Sequence, residues 1–298
     1  MVMATVHRRG DRVAFKTYED PAELRKLQRT IMVAMNEFFR VCDELGIPAY
    51  IWAGSCIGVV RHGGYIPWDD DVDVALKRDD YERFLREAPA LLSDEFELEN
   101  ARITPGFPLP FTYLAIKGTA NVPEFFAESK WERRIGIDIF PLDKLSSDET
   151  TRKKQARGTW IWGRLQYLCG TSRPYLPFDG AKAQLVWLAC GIANCMLRLF
   201  RVSSARIAER YERAAMLARD EFGSDPVYCD FSNRDYLNWT AKASELDPPK
   251  GMPFEETEVF VPNNCDAILT RIYGDYMQLP PVDQRKNHYP VKLDFGAY

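Results

Sequence analysis

The spacing of apolar residues near the start of the chain is typical of a long amphipathic helix. Apolar side chains recur there every three or four positions, at Leu24, Leu27, Ile31, Met35, Phe38, Cys42 and Leu45. Asp20 followed by Pro21 is typical of a helix start, and Gly46 with Pro48 of a helix end. The pattern therefore predicts a helix between these signals, with its apolar face in the core.

Short apolar runs further along the chain predict the strands of a sheet, with helices between them. Strands are expected at 49–53, 72–76, 96–98, 111–117 and 137–140. Further helices are expected at 56–61, 77–92, 203–222 and from the Asn264 cap to Tyr273. This order describes a mixed sheet with helices on one side, which is an α+β fold.

The composition changes between Thr151 and Arg210, where eleven basic residues face two acidic ones and tryptophan and tyrosine are frequent. An uncharged stretch at 183–197, AQLVWLACGIANCML, is shorter than the roughly 20 apolar residues that span a membrane. It is interpreted as a buried helix or, alternatively, as an interfacial helix with basic flanks. We therefore expect three parts: a core at 1–150, a helical, basic and aromatic insertion at 151–250, and a C-terminal segment at 251–298 that packs back on the core.

Composition and charge are those of a globular protein without a general attraction to nucleic acid. The 298 residues are 46% hydrophobic and 13% aromatic, enough for one large domain or two modest ones. The net charge of −4 gives no whole-protein attraction to nucleic acid. Seven cysteines without a C-x-x-C pair are typical of reduced thiols in a cytosolic protein. The first 15 residues hold no apolar run, so we expect no secretory signal.

Three aspartates lie in surroundings typical of metal ligands. Asp71 and Asp73 alternate around a valine in a predicted strand, so both carboxylates leave the same face. Asp138 lies between two isoleucines, where burial of an unpaired charge is costly and a metal ion offsets that cost. Mg²⁺ and Mn²⁺ prefer carboxylate oxygens together with those of a substrate phosphate. We therefore predict Asp71, Asp73 and Asp138 as ligands of Mg²⁺ or Mn²⁺, against the alternative of a solvated acidic loop.

Residues upstream of these aspartates favour phosphate binding. Gly54 permits close approach of the backbone, and Ser55 at a helix start can donate its hydroxyl while free backbone N–H groups point at an anion. Arg61 is predicted to contact a phosphate, and His62 to contact substrate or orient a carboxylate. The alternatives are a surface role for the arginine and a capping role for the histidine.

Other candidate substrate contacts lie on both sides of the aspartates. Tyr65 and Trp68 can stack on a base or enclose a quaternary ammonium, the alternative being a rigid packing corner at Pro67 and Trp68. Lys117, at the end of a predicted strand, is a candidate phosphate ligand. The basic group near the C-terminus is a candidate to fold back over the site, and consists of Arg285, Lys286 and His288.

Residues 50–84 resemble the LicD/fukutin family of phosphotransferases, through the run GSCIGVVRHGGYIPWDDDVDVALKRDDYERF. The resemblance continues at 137–143, IDIFPLD, and at 273–281, YGDYMQLPP. It implies the nucleotidyltransferase fold, shared with DNA polymerase β, for the catalytic core. It also implies that Asp71, Asp73 and Asp138 are the three metal carboxylates. Of Asp69 and Asp70, one is expected to be the general base toward an acceptor hydroxyl and the other solvated, and the family pattern favours Asp69 as the base.

The same resemblance implies an enzyme that moves a phospho-alcohol from a CDP-linked donor to a sugar hydroxyl, with release of CMP. Phosphocholine is favoured because aromatic side chains suit a quaternary ammonium. The acceptors of such enzymes are often glycolipids or lipid-linked glycans, so we expect a cytoplasmic protein whose basic segment visits the inner face of a membrane. The alternatives are transfer of a nucleotide from an NTP with release of pyrophosphate, and a non-catalytic binding module.

Overall fold

A computed structural model of the chain describes residues 17–18, 20–176 and 178–298. The N-terminal stretch in which we expect no secretory signal lies outside them. The helices in chain order are α1 (Pro21–Leu45), α2 (Ala53–Ile57), α3 (Arg78–Glu87), α4 (Glu149–Gly170), α5 (Ala181–Leu199), α6 (Ser204–Ala215), α7 (Ala243–Leu246) and α8 (Cys265–Tyr273). The strands are β1 (Tyr50–Ile51), β2 (Asp73–Lys77), β3 (Phe96–Glu99), β4 (Thr112–Ile116), β5 (Ala120–Pro123), β6 (Gly136–Lys144), β7 (Val227–Cys229), β8 (Thr240–Lys242), β9 (Lys250–Phe254), β10 (Thr257–Val261) and β11 (Pro290–Asp294).

The helix predicted near the start of the chain is confirmed as α1. The side chain of Asp20 accepts a hydrogen bond from the backbone N–H of Ala22 at 2.8 Å and so caps the helix. Gly46 ends it in the left-handed conformation, with φ of 64°. The predicted α8 is confirmed as well, since Asn264 caps it and Gly274 ends it.

Several predicted elements are shorter than expected. The strand expected at 49–53 covers two residues, because Ala53 adopts a left-handed φ of 52° and begins α2. That helix continues as a π-helical turn, Gly58–His62, where the sequence predicts a helix at 56–61. The helix expected at 77–92 ends at Glu87, and the one expected at 203–222 ends at Ala215. The predicted α+β class is confirmed.

The sheet is mixed and has the order β1-β2-β6-β4-β3, with β7 paired to the end of β6 and β8 paired to β7. Strands β2 and β6 are parallel, and the other neighbours are antiparallel. Among the described residues, the expected helical insertion at 151–250 therefore contains four helices, α4 to α7, and also two short strands that extend this sheet. The C-terminal segment adds the β9–β10 hairpin, α8 and β11, which pairs with β5.

Both faces of the sheet are covered, whereas the sequence predicts helices on one side. Val74 of β2 and Ile139 of β6 belong to the cluster that α1 buries. Their neighbours Ala75 and Phe140 belong to a second cluster, which includes Leu246 of α7 and Ile268 of α8. Successive side chains of a strand point to opposite faces. Asp73 of β2 and Asp138 of β6 therefore lie on the second face, with Ala75 and Phe140.

Helix α5 is not the buried helix that the uncharged stretch favours. Leu185, Leu188, Ile192 and Leu199 are between 57% and 73% exposed and recur at helical spacing. The opposite side is held by Asn194, whose Nδ2 donates to the backbone oxygen of Leu168 in α4. These four residues therefore form an exposed apolar stripe along α5.

Candidate active site

Two of the predicted metal ligands are adjacent in the sheet. Asp73 opens β2 and pairs in register with Asp138 on the parallel strand β6, so their side chains leave the same face of neighbouring strands. Both residues are buried, at 3% and 2% exposed. The two residues are 65 positions apart in the sequence. The pairing of β2 with β6 places their carboxylates side by side in the core.

The backbone of Asp73 is fixed, and one of its carboxylate oxygens is available. Its N–H donates to the hydroxyl oxygen of Ser55 at 2.9 Å, which ties β2 to α2. Its Oδ1 atom is buried and has no hydrogen-bond donor among the described residues. A buried charged oxygen without a donor is costly, and a hard cation is the ligand that removes the cost.

A second carboxylate cluster lies in the loop before β2. Asp69, Asp70 and Asp71 each place one oxygen within 4.8 Å of the others. The loop is anchored to α1, because Gln28 Nε2 donates to the backbone oxygen of Asp69 at 2.9 Å. Asp70 is engaged elsewhere, since its Oδ2 accepts from the backbone N–H of His288 at 2.6 Å. Asp71 thus belongs to the loop cluster, and the strand pair completes the predicted triad beside it.

Burial and crowding raise the pKa values of these carboxyl groups. Removal from water raises the pKa of Asp69 and Asp73 well above the usual range, and the charge of Asp71 adds to both shifts. Burial likewise raises the pKa of Asp71, helped by Asp70 and Asp138. The ionised cluster is therefore repulsive, and a divalent cation would relieve that repulsion. The donor set and the available Asp73 oxygen fit Mg²⁺ or Mn²⁺.

Arg133 is a member of the site that the sequence analysis missed. Its Nη2 lies 3.5 Å from Asp138 Oδ2, and its guanidinium lies 4.9 Å from the centre of the Tyr113 ring. Burial by itself lowers the pKa of Arg133, but Tyr113 and the carboxylates of Asp138 and Asp71 raise it above the usual value. Because the arginine precedes β6 in an irregular segment, no periodicity marks it in the sequence.

Asp230 is the second residue that the sequence analysis missed. It follows β7 and is buried, and its Oδ2 accepts from Trp52 Nε1 at 3.4 Å. Its charge contributes to the raised pKa of Asp73, after burial and the other aspartates. The β7–β8 hairpin therefore brings one more carboxylate to the edge of the site.

The space beside the aspartates is small. It measures about 30 Å³, room for an ion and one or two water molecules. The side chains around it include Asp70, Asp71, Arg133, Asp138 and His288, together with Asn121, Pro123, Leu109, Phe125 and Phe126. We call this space the aspartate cleft. His288 reaches it as expected for the C-terminal basic group.

Gly54 and Ser55 lie where the sequence places them, at the start of the helix before the aspartates. A Cβ atom added at Gly54 would lie 4.0 Å from Asp69 Oδ2, so the glycine faces the acidic loop. Ser55 is buried, and its oxygen accepts from the backbone of Asp73. Its observed contact therefore positions a predicted metal ligand.

Arg61, His62 and Trp68 lie together with the C-terminal segment. Arg61 Nη1 donates to the backbone oxygen of Tyr276, and its Nε donates to His62 Nε2 at 3.0 Å. The guanidinium of Arg285 lies 4.8 Å from the centre of the Trp68 ring. Arg61 thus joins two of the motif blocks, and its guanidinium is partly committed to backbone carbonyls. His62 stands edge-on to Trp68, with ring centres 6.4 Å apart.

Two predicted substrate residues, Tyr65 and Lys117, are not among the residues that line the cleft. Tyr65 is 6% exposed; its hydroxyl donates to the backbone oxygen of Gln28 at 2.8 Å, and its ring packs on Phe254. Lys117 follows the end of β4, roughly 13 Å along the strand direction from Tyr113, the partner of Asp138. Its Nζ donates to the backbone oxygen of Asp94. The structure therefore gives Tyr65 a core role and Lys117 a loop role instead of the predicted substrate contacts.

Comparison with known proteins gives a family match and a curated relative. Residues 46–168 match the family described as LicD/FKTN/FKRP, nucleotidyltransferase domain. The chain carries a LicD/FKTN/FKRP nucleotidyltransferase domain. It is also 23% identical over 279 residues to the lipopolysaccharide cholinephosphotransferase LicD of Haemophilus influenzae, a match that covers 89% of this chain and 96% of that protein.

The LicD/FKTN/FKRP domain spans β1 to the greater part of α4 and so contains Asp69, Asp71, Asp73, Arg133 and Asp138. Asp230 and His288, which also lie at the site, come from outside the matched range. The C-terminal segment thus contributes His288 to the cleft, and the β7–β8 hairpin places Asp230 near it.

Proposed function

We propose that this chain transfers a phospho-alcohol, with phosphocholine favoured, from a CDP-linked donor to a hydroxyl of a cell-surface glycan or glycolipid and releases CMP. The LicD/FKTN/FKRP domain and the cholinephosphotransferase name of the relative support this class of reaction. The observation that carries it is the pairing of Asp73 with Asp138, with an unpartnered buried oxygen on Asp73 and Asp71 nearby.

The site's own residues suit an in-line displacement at phosphorus. Asp71, Asp73 and Asp138 would hold Mg²⁺ or Mn²⁺, which supplies charge neutralisation at the diphosphate and a lowered pKa of the acceptor hydroxyl. Arg133, held against Asp138, adds a fixed positive charge at the cleft for the phosphate oxygens. Ser55 and Gln28 hold the backbone around the carboxylates in place.

Asp69 is the proposed general base. Burial and the charges of the neighbouring aspartates raise the pKa of Asp69, which makes its ionised carboxylate a stronger base. The acceptor oxygen gives its proton to Asp69 and bonds to the phosphorus of the phospho-alcohol. The bond from that phosphorus to the CMP oxygen breaks, and CMP leaves with the electron pair.

Release of CMP from CDP-choline tests the proposal. We expect release in the presence of Mg²⁺, and loss of at least about 100-fold in rate for Asp71→Asn and for Asp73→Asn, because each removes a ligand charge while keeping the side-chain shape. Asp220→Asn, at an exposed carboxylate outside the cleft, is the matched control and should retain the rate. Wild-type turnover by both site variants would contradict the assignment.

The same assay separates the proposal from nucleotidyl transfer. Incubation with ATP or CTP in place of CDP-choline, followed by measurement of pyrophosphate, should yield none above the background of a metal-chelated sample. Pyrophosphate from an NTP, without CMP from CDP-choline, would favour the nucleotidyltransferase alternative.

A peripheral contact with an anionic membrane is part of the proposal. Among the described residues, no single helix is long and apolar enough to cross a bilayer, although α5 and the helical region 204–218, bent by 105° to each other, meet the length and composition requirement together. Leu185, Leu188 and Ile192 of the exposed stripe lie between Lys182 and Arg198, which is the arrangement of an interfacial helix. We therefore propose that α5 lies on the inner face of the membrane that holds the acceptor.

A further inference from the structure

A large groove lies next to the aspartate cleft. It runs between α4, α5, the loop at 108–111 and the β7–β8 hairpin, and it measures about 770 Å³, within the range of about 300–1,000 Å³ typical of ligand sites. Leu109 and Phe125 line both the groove and the cleft. The groove and the cleft are therefore neighbours, with Leu109 and Phe125 between them.

The walls of the groove are apolar and aromatic. Eight aromatic side chains line it, among them Trp160, Tyr167, Tyr211, Phe231 and Tyr236. Val186 and Cys190 of α5, one helical turn apart, close one side. Such walls favour an extended hydrocarbon chain, since burial of apolar area is favourable by about 25 cal/mol per Å².

The charge at the groove has one sign. Lys153, Arg157, Arg164 and Arg234 line it, and its described lining includes no aspartate or glutamate. The four side chains are solvent-exposed, and Arg164 lies 6.0 Å from the centre of the Trp160 ring. Guanidinium groups beside an aromatic groove suit a phosphate or carboxylate attached to an apolar chain.

The groove also adjoins the membrane-facing element. Leu185 and Leu188 of α5 are 73% and 64% exposed, and Val186 between them lines the groove. One helix therefore has one side on the groove and the other toward the proposed bilayer surface. A chain leaving the bilayer beside α5 would enter the groove directly.

We propose that this groove binds the acceptor as an anionic amphiphile, with its hydrocarbon chain along the aromatic wall and its phosphate at the arginines. The reacting hydroxyl then faces the aspartate cleft past Leu109 and Phe125. That this ligand is the acceptor rests on the proposed phosphotransfer. The binding of an anionic amphiphile in the groove does not depend on that reaction.

Binding of dodecyl phosphate below its micelle concentration tests the groove, by calorimetry on the full chain. We expect saturable binding at least 10-fold tighter than that of inorganic phosphate. Ala156→Trp fills the groove from α4 and should weaken the binding of dodecyl phosphate at least 10-fold. The matched control, Ala90→Trp, lies at an exposed position outside the groove and should leave that binding unchanged. The double variant Arg164→Ala/Arg234→Ala alters only exposed side chains and should weaken dodecyl phosphate at least 10-fold but neutral dodecyl maltoside less than 3-fold.

The outcomes separate this proposal from the proposed reaction. Asp73→Asn should bind dodecyl phosphate like the wild type, so a failure of CMP release leaves the groove result standing on its own. Dodecyl phosphate that binds no tighter than inorganic phosphate, or equally well to Ala156→Trp, overturns the proposal. Competitive displacement of dodecyl phosphate by CMP would overturn it as well, since the groove would then hold the donor nucleotide.

Discussion

The buried carboxylates serve the proposed chemistry but lower the stability of the folded, metal-free protein. Asp73 lies in the core beside Asp138, and burial and the neighbouring charges raise its pKa. A carboxyl group whose pKa is raised on folding binds protons more tightly in the folded state, so its contribution to stability falls as pH rises through the two pKa values. The residues predicted to carry the reaction therefore destabilise the metal-free protein.

Asp73→Asn should stabilise the metal-free protein while removing activity. We expect a melting temperature about 2–4 °C above that of the wild type at pH 7, corresponding to about 1 kcal/mol. The difference should shrink toward pH 4, where the wild-type carboxyl is protonated in the folded state. Scanning calorimetry in EDTA at several pH values measures both effects. A melting temperature below that of the wild type at pH 7 would show that Asp73 holds a stabilising contact instead.

The proposed role of helix α5 follows from the apolar surface that it leaves exposed. Its polar contacts are few and specific, such as Trp187 Nε1 donating to the backbone oxygen of Pro174 at 2.9 Å. The remainder of the helix presents leucines and isoleucine on one side and groove residues on the other. An exposed apolar stripe with basic neighbours requires either a partner or a membrane surface.

Association with anionic liposomes should therefore have a charged and an apolar component. The segment from Arg152 to Arg157 supplies charge, and each basic residue near the surface contributes about 1 kcal/mol. Lys153→Glu/Lys154→Glu should lower binding at low salt by at least about 100-fold, and Leu188→Asp/Ile192→Asp should lower it at low and high salt alike. Flotation with phosphatidylserine vesicles measures this.

Charge reversal at Arg83 and Arg86 on α3 is the matched control for the liposome experiment. Their side chains are 43% and 65% exposed and lie outside the basic segment. It should leave binding within about 2-fold of the wild type. A protein that ignores anionic vesicles at low salt, or whose binding responds equally to both reversals, would exclude α5 and the basic segment as the contact.

At the scale of the whole molecule, distant segments meet at one cleft. The loop before β2, the strand β6 and the C-terminal segment each contribute a side chain to it, and the β7–β8 hairpin places Asp230 where its charge raises the pKa of Asp73. The acidic loop is tied to α1 through Gln28 and to the C-terminus through His288. A ligand bound by these carboxylates therefore links the parts of the fold, and its binding free energy adds to global stability.

Mg²⁺ or Mn²⁺ should raise the melting temperature of the whole chain, and more at pH 7 than at pH 5. Burial raises the pKa of Asp69, Asp71 and Asp73, so at pH 5 protons compete with the cation for the same oxygens. We expect about 2.7 kcal/mol of stabilisation at a free cation concentration 100 times Kd. Thermal unfolding with MgCl₂ and with EDTA checks it, and Asp71→Asn/Asp73→Asn should abolish the shift. A shift of equal size at both pH values, or in the double variant, would place the cation elsewhere.

The sequence by itself determined the features that depend on neighbours along the chain. Asp20 and Gly46 set the ends of α1, and Asn264 and Gly274 those of α8, because caps act within one helical turn. The class of fold and the resemblance to the LicD/fukutin family also followed from local patterns. Strand alternation predicted Asp71 and Asp73 on one face, but β2 begins at Asp73 and Asp71 lies in the loop before it.

Only the tertiary structure decided which distant side chains meet. Pairing of β2 with β6 places Asp73 beside Asp138, and chain segments without periodicity bring Arg133, Asp230 and His288 to the same place. Tyr65 and Lys117 have residue types suited to a substrate, but core packing holds one and strand direction carries the other away. The exposed stripe of α5 has the composition of a core helix, and only its position at the edge of the fold leaves it uncovered, because burial depends on neighbours that sequence spacing does not specify.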